Sequence, residues 1–192
     1  DSEKGKTFNG KVVVNYEPSF ANDSWAEIAA TVKVNPKSYA VGSTKKLKVY
    51  DNPNGETTNG TYKEYTVRVA NNTTPAKCND SNSNFSQTAC GFVVEFVDIV
   101  EDRRMNSTAT NVGGWRDSEM RTYANGAFFN NLPEDLRNVI IETKVVSGHG
   151  STTGETNFPS TDKIYLLSSH EVWENCTQSN CYDTATGVTR QL

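Results

Sequence analysis

Two histidines and four cysteines are all the imidazole and thiol that 192 residues contain, and their placement excludes most of the chemistry those groups perform. His149 stands alone between glycines in SGHGS, with no G-x-S-x-G elbow following a strand. His170 has no second histidine one helical turn further on, so the paired-histidine zinc signature is missing. The cysteines fall into two local pairs, Cys78 with Cys90 and Cys176 with Cys181. Neither pair has C-x-x-C spacing or a neighbouring histidine or run of acids, so zinc is not expected, nor is any cofactor. Apolar runs are short, none approaching the ~18 residues of a membrane-spanning helix. Lysine and arginine nowhere gather with interleaved aromatics, and a net charge of −4 leaves no electrostatic footprint for nucleic acid. The densest basic run, Lys45, Lys46 and Lys48, reads as a solvated strand face. No repeat with a period of ~20–50 residues is visible. The chain opens on Asp1 without a leader-like segment, which fits a mature or excised fragment.

What is present suggests export. Four cysteines permit three pairings, and the local one, Cys78–Cys90 with Cys176–Cys181, is the simplest. A bond closing the first loop restricts the unfolded chain by about 3 kcal/mol in the entropic account. Disulfides imply an oxidising compartment, so an extracellular or cell-surface location is expected. Sequons at Asn22, Asn59, Asn71 and Asn106 carry meaning only in a source that glycosylates them.

The chain is organised around residues 113–141. Asp117 or Ser118 can cap a helix on which Met120, Tyr123, Ala124, Ala127 and Phe128 recur at helical spacing. Gly126 costs about 1 kcal/mol inside a helix and marks its end. Pro133 suits a first helical position, with Glu134 and Asp135 in the first turn and Leu136, Val139 and Ile140 as an apolar edge. The result is a helical hairpin whose aromatic face forms the folding centre.

Around it, residues 11–16 (KVVVNY), 45–50, 62–70 and 143–146 read as strands, and Ser24 with Glu27 as the capping box of a short helix anchored by Trp25. Residues 91–100 (GFVVEFVDIV) are the most apolar run and the expected central strand, interrupted by Glu95 and Asp98, for which Arg103 and Arg104 are available partners. Residues 71–86 read as a polar surface loop clipped by Cys78 and Cys90, and 147–160 as a long Gly/Ser/Thr loop. Residues 163–167 (KIYLL) read as a buried strand, followed by a short helix capped by Ser168 or Ser169.

Candidate chemistry is sparse. His149 with Ser151 is the one base–nucleophile arrangement, and a loop histidine is the simpler reading. His170 with Glu171 opens a short helix, where metal binding is not expected. Asp80, Asn82 and Asn84 begin like a calcium loop, but Phe85 stands where the loop needs glycine and no glutamate closes it. Glu95 and Asp98, three apart on a strand, point to opposite faces, which argues against a glycosidase pair. Trp25, Trp115 and Trp173 sit at helix heads or on apolar sides, so core packing is expected before sugar stacking. Arg103, Arg104 and Arg116 are read as orienting Asp98 or Glu119.

Four segments, 66–71 (TVRVAN), 85–96 (FSQTACGFVVEF), Trp115 with Ser118, Met120, Arg121, Tyr123, Asn125 and Phe129, and 161–168 (TDKIYLLS), resemble a family of uncharacterised domains in bacterial surface and secreted proteins. The resemblance runs from about Trp25 to the C-terminus. It implies a modular extracellular domain, distantly similar to C-type-lectin-like folds, and brings neither catalytic residues nor a ligand. It also implies a Trp-rich segment and closing strands beyond Leu192, so the domain is expected to be truncated at its C-terminus.

The resulting expectation is an α+β fold, mainly antiparallel sheet with a helical hairpin and short flanking helices. Residues 1–20 form a lead-in and 21–192 a single domain. Its expected function is non-enzymatic binding or display on a bacterial surface or secreted protein, with a glycan or a host or surface protein as partner. The alternatives are a glycan- or peptide-active hydrolase using the 147–160 loop, and a structural spacer.

Overall fold

Ser24 places its hydroxyl on the N–H of Glu27, whose carboxylate accepts from the Ser24 N–H at 2.8 Å, and this reciprocal cap starts helix α1 (Trp25–Val34). Asn35 ends it in an extended conformation ahead of Pro36. The computed structural model describes residues 15–149, 154–173, 175–176 and 184–191. The strand read over 11–16 falls mostly outside them, and Asn15 and Tyr16 belong to no strand. Phe20 is buried with Trp25, Ile28 and Tyr39 in the main core.

That core lies on an antiparallel sheet of β1 (Thr44–Tyr50), β2 (Tyr62–Thr73) and β3 (Gly91–Phe96), in the order β1-β2-β3. Leu47 and Val49 of β1 and Val67 and Val69 of β2 face α1, while the intervening lysines stay in solvent. Two expectations need correction. The middle strand is β2, not the 91–100 run, and β3 stops at Phe96, after which Ile99 is 88% exposed. A run apolar on both faces reports burial, and here β3 is half-covered on both sides without a second strand neighbour. The supposed loop from Asn71 begins as strand. A bulge between Val69 and Asn71 turns Asn71 and Asn72 inward, where Asn71 donates to the carbonyls of Thr73 and Gly91 and Asn72 to that of Tyr39. Phe85, within the same polar stretch, is fully buried.

Ser118 caps α2 (Glu119–Tyr123) by accepting from the Arg121 N–H at 3.0 Å. Gly126 does not end the helix; the chain widens into a π turn over Ala124–Phe128. The wider turn puts Phe128 against Phe96 and Tyr123 in the main core. Pro133 lies just before α3 (Glu134–Arg137) rather than inside it, and Leu136 is its buried anchor.

β4 (Thr143–Ser147) pairs antiparallel with β5 (Phe158–Asp162) in a second sheet. The long loop is thus shorter than expected, and the strand lies before residues 163–167, not within them. Pro159 is accommodated because β5 has a single neighbour. Residues 163–164 cannot join a ladder, because the Asn125 side chain takes the N–H groups of Lys163 and Ile164 and the carbonyl of Ile164. α4 (Ser169–Val172) follows, with the Glu171 carboxylate accepting from the Ser168 N–H. Trp115, Ala124 and Val145 form a second small core, and Ile164 packs on both cores.

Cys78 is bonded to Cys90, as expected from the local pairing. Cys176 is also disulfide-bonded, while Cys181 lies outside the described residues. Mass spectrometry without reduction should recover a Cys78–Cys90 cross-linked peptide and a second joining Cys176 to Cys181. Free thiols in protein from its native compartment would refute both the pairing and export.

Asp23 is a buried acid facing three donors, the Tyr16 and Tyr39 hydroxyls and the Ser19 N–H. Burial pushes its pKa up, but the hydrogen bonds from Tyr16, Tyr39 and Ser19 outweigh that and hold it below the ordinary 3.8. Burial, reinforced by the bond to Asp23, raises the Tyr39 phenol. A depressed acid contributes stability above its unfolded value and loses it as pH falls through the folded one. Asp23→Asn should therefore cost about 1.5–3 kcal/mol at pH 7, and its deficit should shrink below pH 3.8, as read by urea titrations at both pH values.

Candidate functional site

A groove of about 300 Å³ opens between β4 and the segment leading into α4. Ser86, Thr88, Ser147, Ser168 and Ser169 bring hydroxyls to it; Met105, Trp115, Leu166 and Leu167 bring apolar surface. Leu166 and Leu167 are about half exposed, because Asn125 holds the preceding residues out of any strand and turns them toward solvent.

The polar groups of the floor are hydrogen-bonded to one another and to the backbone. Ser86 Oγ accepts from the Val146 N–H at 3.2 Å and lies 3.3 Å from the Thr88 hydroxyl. Tyr165 donates its hydroxyl to the Thr88 carbonyl, and burial pushes its phenol up to about 12, so it remains a neutral donor at physiological pH. Ser147 Oγ accepts from the Trp115 N–H, and the Trp115 indole donates to Asp162 at 2.9 Å. Asp162, fully buried, also receives Ser160 and the Arg121 guanidinium, each at 2.6 Å.

Behind the groove runs a charged chain of four side chains. Glu171 meets Arg190 at 2.9 Å, Arg190 meets Glu95 at 2.5 Å, and Glu95 meets Arg68 at 2.6 Å. The Arg103 and Arg104 partnership expected for Glu95 is thus replaced by Arg68, directly opposite on β2, and by Arg190, 95 residues away. Sequence spacing holds no signal for such a distant pair, nor for Asp162 with Arg121, but Arg68 facing Glu95 follows once the β2–β3 register is known. Arg103 instead stacks on Tyr123, 4.2 Å from the ring centre. Arg116 pairs with Asp117, and Glu119 accepts from Ser107.

The other sequence candidates scatter. His149 is half-buried in the loop after β4, its backbone N–H shared by Asn157 and Thr184, while Ser151 lies outside the described residues. His170 lies on α4 beside a Glu171 already committed to Arg190 and Ser168. Asp80 and Asn82 place side-chain oxygens on the N–H groups of Asn82 and Asn84, forming turns. Asp98 is exposed. Trp25 and Trp115 are core residues, whereas Trp173 corrects the expectation: it is 61% exposed because α4 ends before it.

These elements define an α+β domain, its two small antiparallel sheets bridged by a π turn with a lined groove beside the second. The family model described as a domain of unknown function, DUF6273, matches residues 93–189, and the chain belongs to that family. The matched span includes β4, β5, α4 and most of the groove; α1, β1 and β2 precede it. Comparison with curated proteins and with solved structures found no match.

Proposed function

We propose that the protein is a non-enzymatic binding module of a secreted or cell-surface bacterial protein, C-type-lectin-like in kind, and that the groove beside β4 takes a glycan. The observation that carries this reading is the groove's lining, with hydroxyls of Ser86, Thr88 and Ser147 on one side and exposed Leu166 and Leu167 on the other. A pyranose has matching polar edges and an apolar face, and sites of this kind combine apolar walls with a few placed polar groups. Glu171, the carboxylate lining the groove, is held by Arg190 and the Ser168 N–H, which suits fixed recognition rather than proton transfer. The Cys78–Cys90 disulfide and the absence, among the described residues, of a helix able to cross a membrane are compatible with an extracellular place.

A glycan array is the direct test. Replacing Leu166 and Leu167 together by serine should abolish a positive signal while leaving the melting temperature within about 2 °C, since exposed side chains contribute little to stability. Hydrolysis of a glycan or peptide that disappears on substitution of a single carboxylate would overturn the reading in favour of an enzyme. Absence of binding to any glycan or host extract would favour a spacer.

A further inference from the structure

A second cavity, of about 410 Å³, lies across the molecule's other junction, between the β1–β2 loop and the turn joining the π segment to α3. The loop is held there by its backbone: Tyr50 and Asn54 donate to the carbonyls of Asn131 and Asn130, and Glu56 accepts from the Glu134 N–H. Asn54, which lines the cavity, sits in the left-handed region at φ 58°, a conformation non-glycine residues seldom adopt. The cavity is thus a built feature of two tethered segments.

Its cations are unpaired. Arg137 and Lys163 both line it, and among the described residues no carboxylate pairs with either. Arg68, Arg116, Arg121 and Arg190 by contrast each meet an acid. The Arg137 Nε is buried without an acceptor, and the Asn131 side-chain oxygen at the same junction is buried without a donor. Arg137 as a residue is half-buried, and an Nε–H shielded by the protein without a protein acceptor is left to water or to a ligand. Lys163 lies 4.8 Å from the centre of the Phe129 ring, which lines the same cavity. Glu134 is the acidic member of the lining and the Glu56 carboxylate sits on its N–H, so the two cations are balanced in number, yet neither acid forms an ion pair with Arg137 or Lys163.

We propose that this cavity is a binding site for a carboxylate-bearing ligand of monosaccharide size, an acidic sugar of the uronic type. Arg137 presents a planar fork that matches a carboxylate. Lys163, held over the Phe129 ring, adds a positioned point charge, and Asn54, Thr57 and Glu134 offer partners for ring hydroxyls. The site is separate from the groove beside β4, and its occupation does not depend on what that groove holds.

The test is titration of the whole chain with glucuronate, and with glucose and acetate as controls, followed by calorimetry and by amide shifts of residues 54–57 and 134–138. Saturable binding of glucuronate at least tenfold tighter than of glucose or acetate is expected, localised to those amides. Arg137→Gln and Lys163→Met should each weaken it at least tenfold, and Arg137→Lys should restore only part. Equal affinity for glucuronate and glucose, binding that survives Arg137→Gln in a folded variant, or shifts confined to the groove beside β4 would each overturn the assignment. If Arg137→Gln does not fold, Lys163→Met, whose side chain holds no hydrogen bond among those described, decides the matter alone.

Discussion

Truncating Phe128 to alanine should destabilise the protein by about 3–5 kcal/mol, the usual cost of emptying a buried phenylalanine site. Phe128 is 6% exposed and meets the rings of Phe96 at 5.9 Å and Tyr123 at 6.2 Å. It stands where the π turn delivers the helical hairpin onto β3, so its loss removes contacts between two elements rather than within one. The surrounding backbone is pinned by Asn125 and by the hydrogen bond from the Asn131 N–H to the Ala127 carbonyl, which limits collapse into the void. Domains are stable by roughly 5–15 kcal/mol, so the melting temperature should fall sharply in calorimetry. His149→Ala, in the loop after β4, should leave it nearly unchanged. A Phe128→Ala protein that melts like its parent but loses ligand binding would make this helix a recognition surface instead of scaffold.

The second large effect is expected at Arg190. Its side chain is 6% exposed and lies between Glu171, 2% exposed, and Glu95, 13% exposed. Arg190→Met leaves two carboxylates in the interior with one arginine, Arg68, to serve them. Removing one partner of a buried ion pair typically costs about 3–5 kcal/mol, chiefly because the survivor is stranded. Replacing Glu171 by glutamine in the same protein should return part of that loss, since it removes the stranded charge. A urea-denaturation double-mutant cycle measures the coupling. Simple additivity of the two substitutions would mean that the pair does not act as one unit.

Local elements were legible in the sequence to the extent that their causes were local. Ser24 with Glu27, a cap at Ser168 or Ser169, and the alternation of Leu47 and Val49 with lysines each lie within a few residues, and the α1 cap, the α4 start at Ser168 and β1 follow from them. The misplaced elements were decided at long range. KIYLL has strand composition, but its backbone groups are taken by Asn125, some 39 residues earlier in the chain. The 158–162 strand hides a proline in a polar stretch, tolerated because its partner lies on one side only. Propensity marks Gly126 as a stop, which packing of Phe128 overrides. The groove was the least legible feature. Ser86, Ser147 and Leu166 come from three separated segments, and the exposure of Leu166 and Leu167 contradicts their hydrophobic pattern.

The stretch 184–191 sets the order in which the molecule can assemble. Thr186 exchanges backbone bonds with Ser86 and Asn84, Arg190 reaches Glu95 and Glu171, and Gln191 accepts from the Asn72 N–H across a separation of 119 residues. Closing loops of that size is slow compared with forming a helix or a hairpin. On a ribosome, α1 and the β1–β2 hairpin emerge early, but the Arg190 bond to Glu95 and the Gln191 bond to the Asn72 N–H must wait until residues 184–191 have left the exit tunnel. Until then Glu95 has Arg68 of β2 as its one partner and Glu171 lacks its arginine, so a nascent chain stalled before residue 184 carries a half-satisfied acid cluster in place of the finished one.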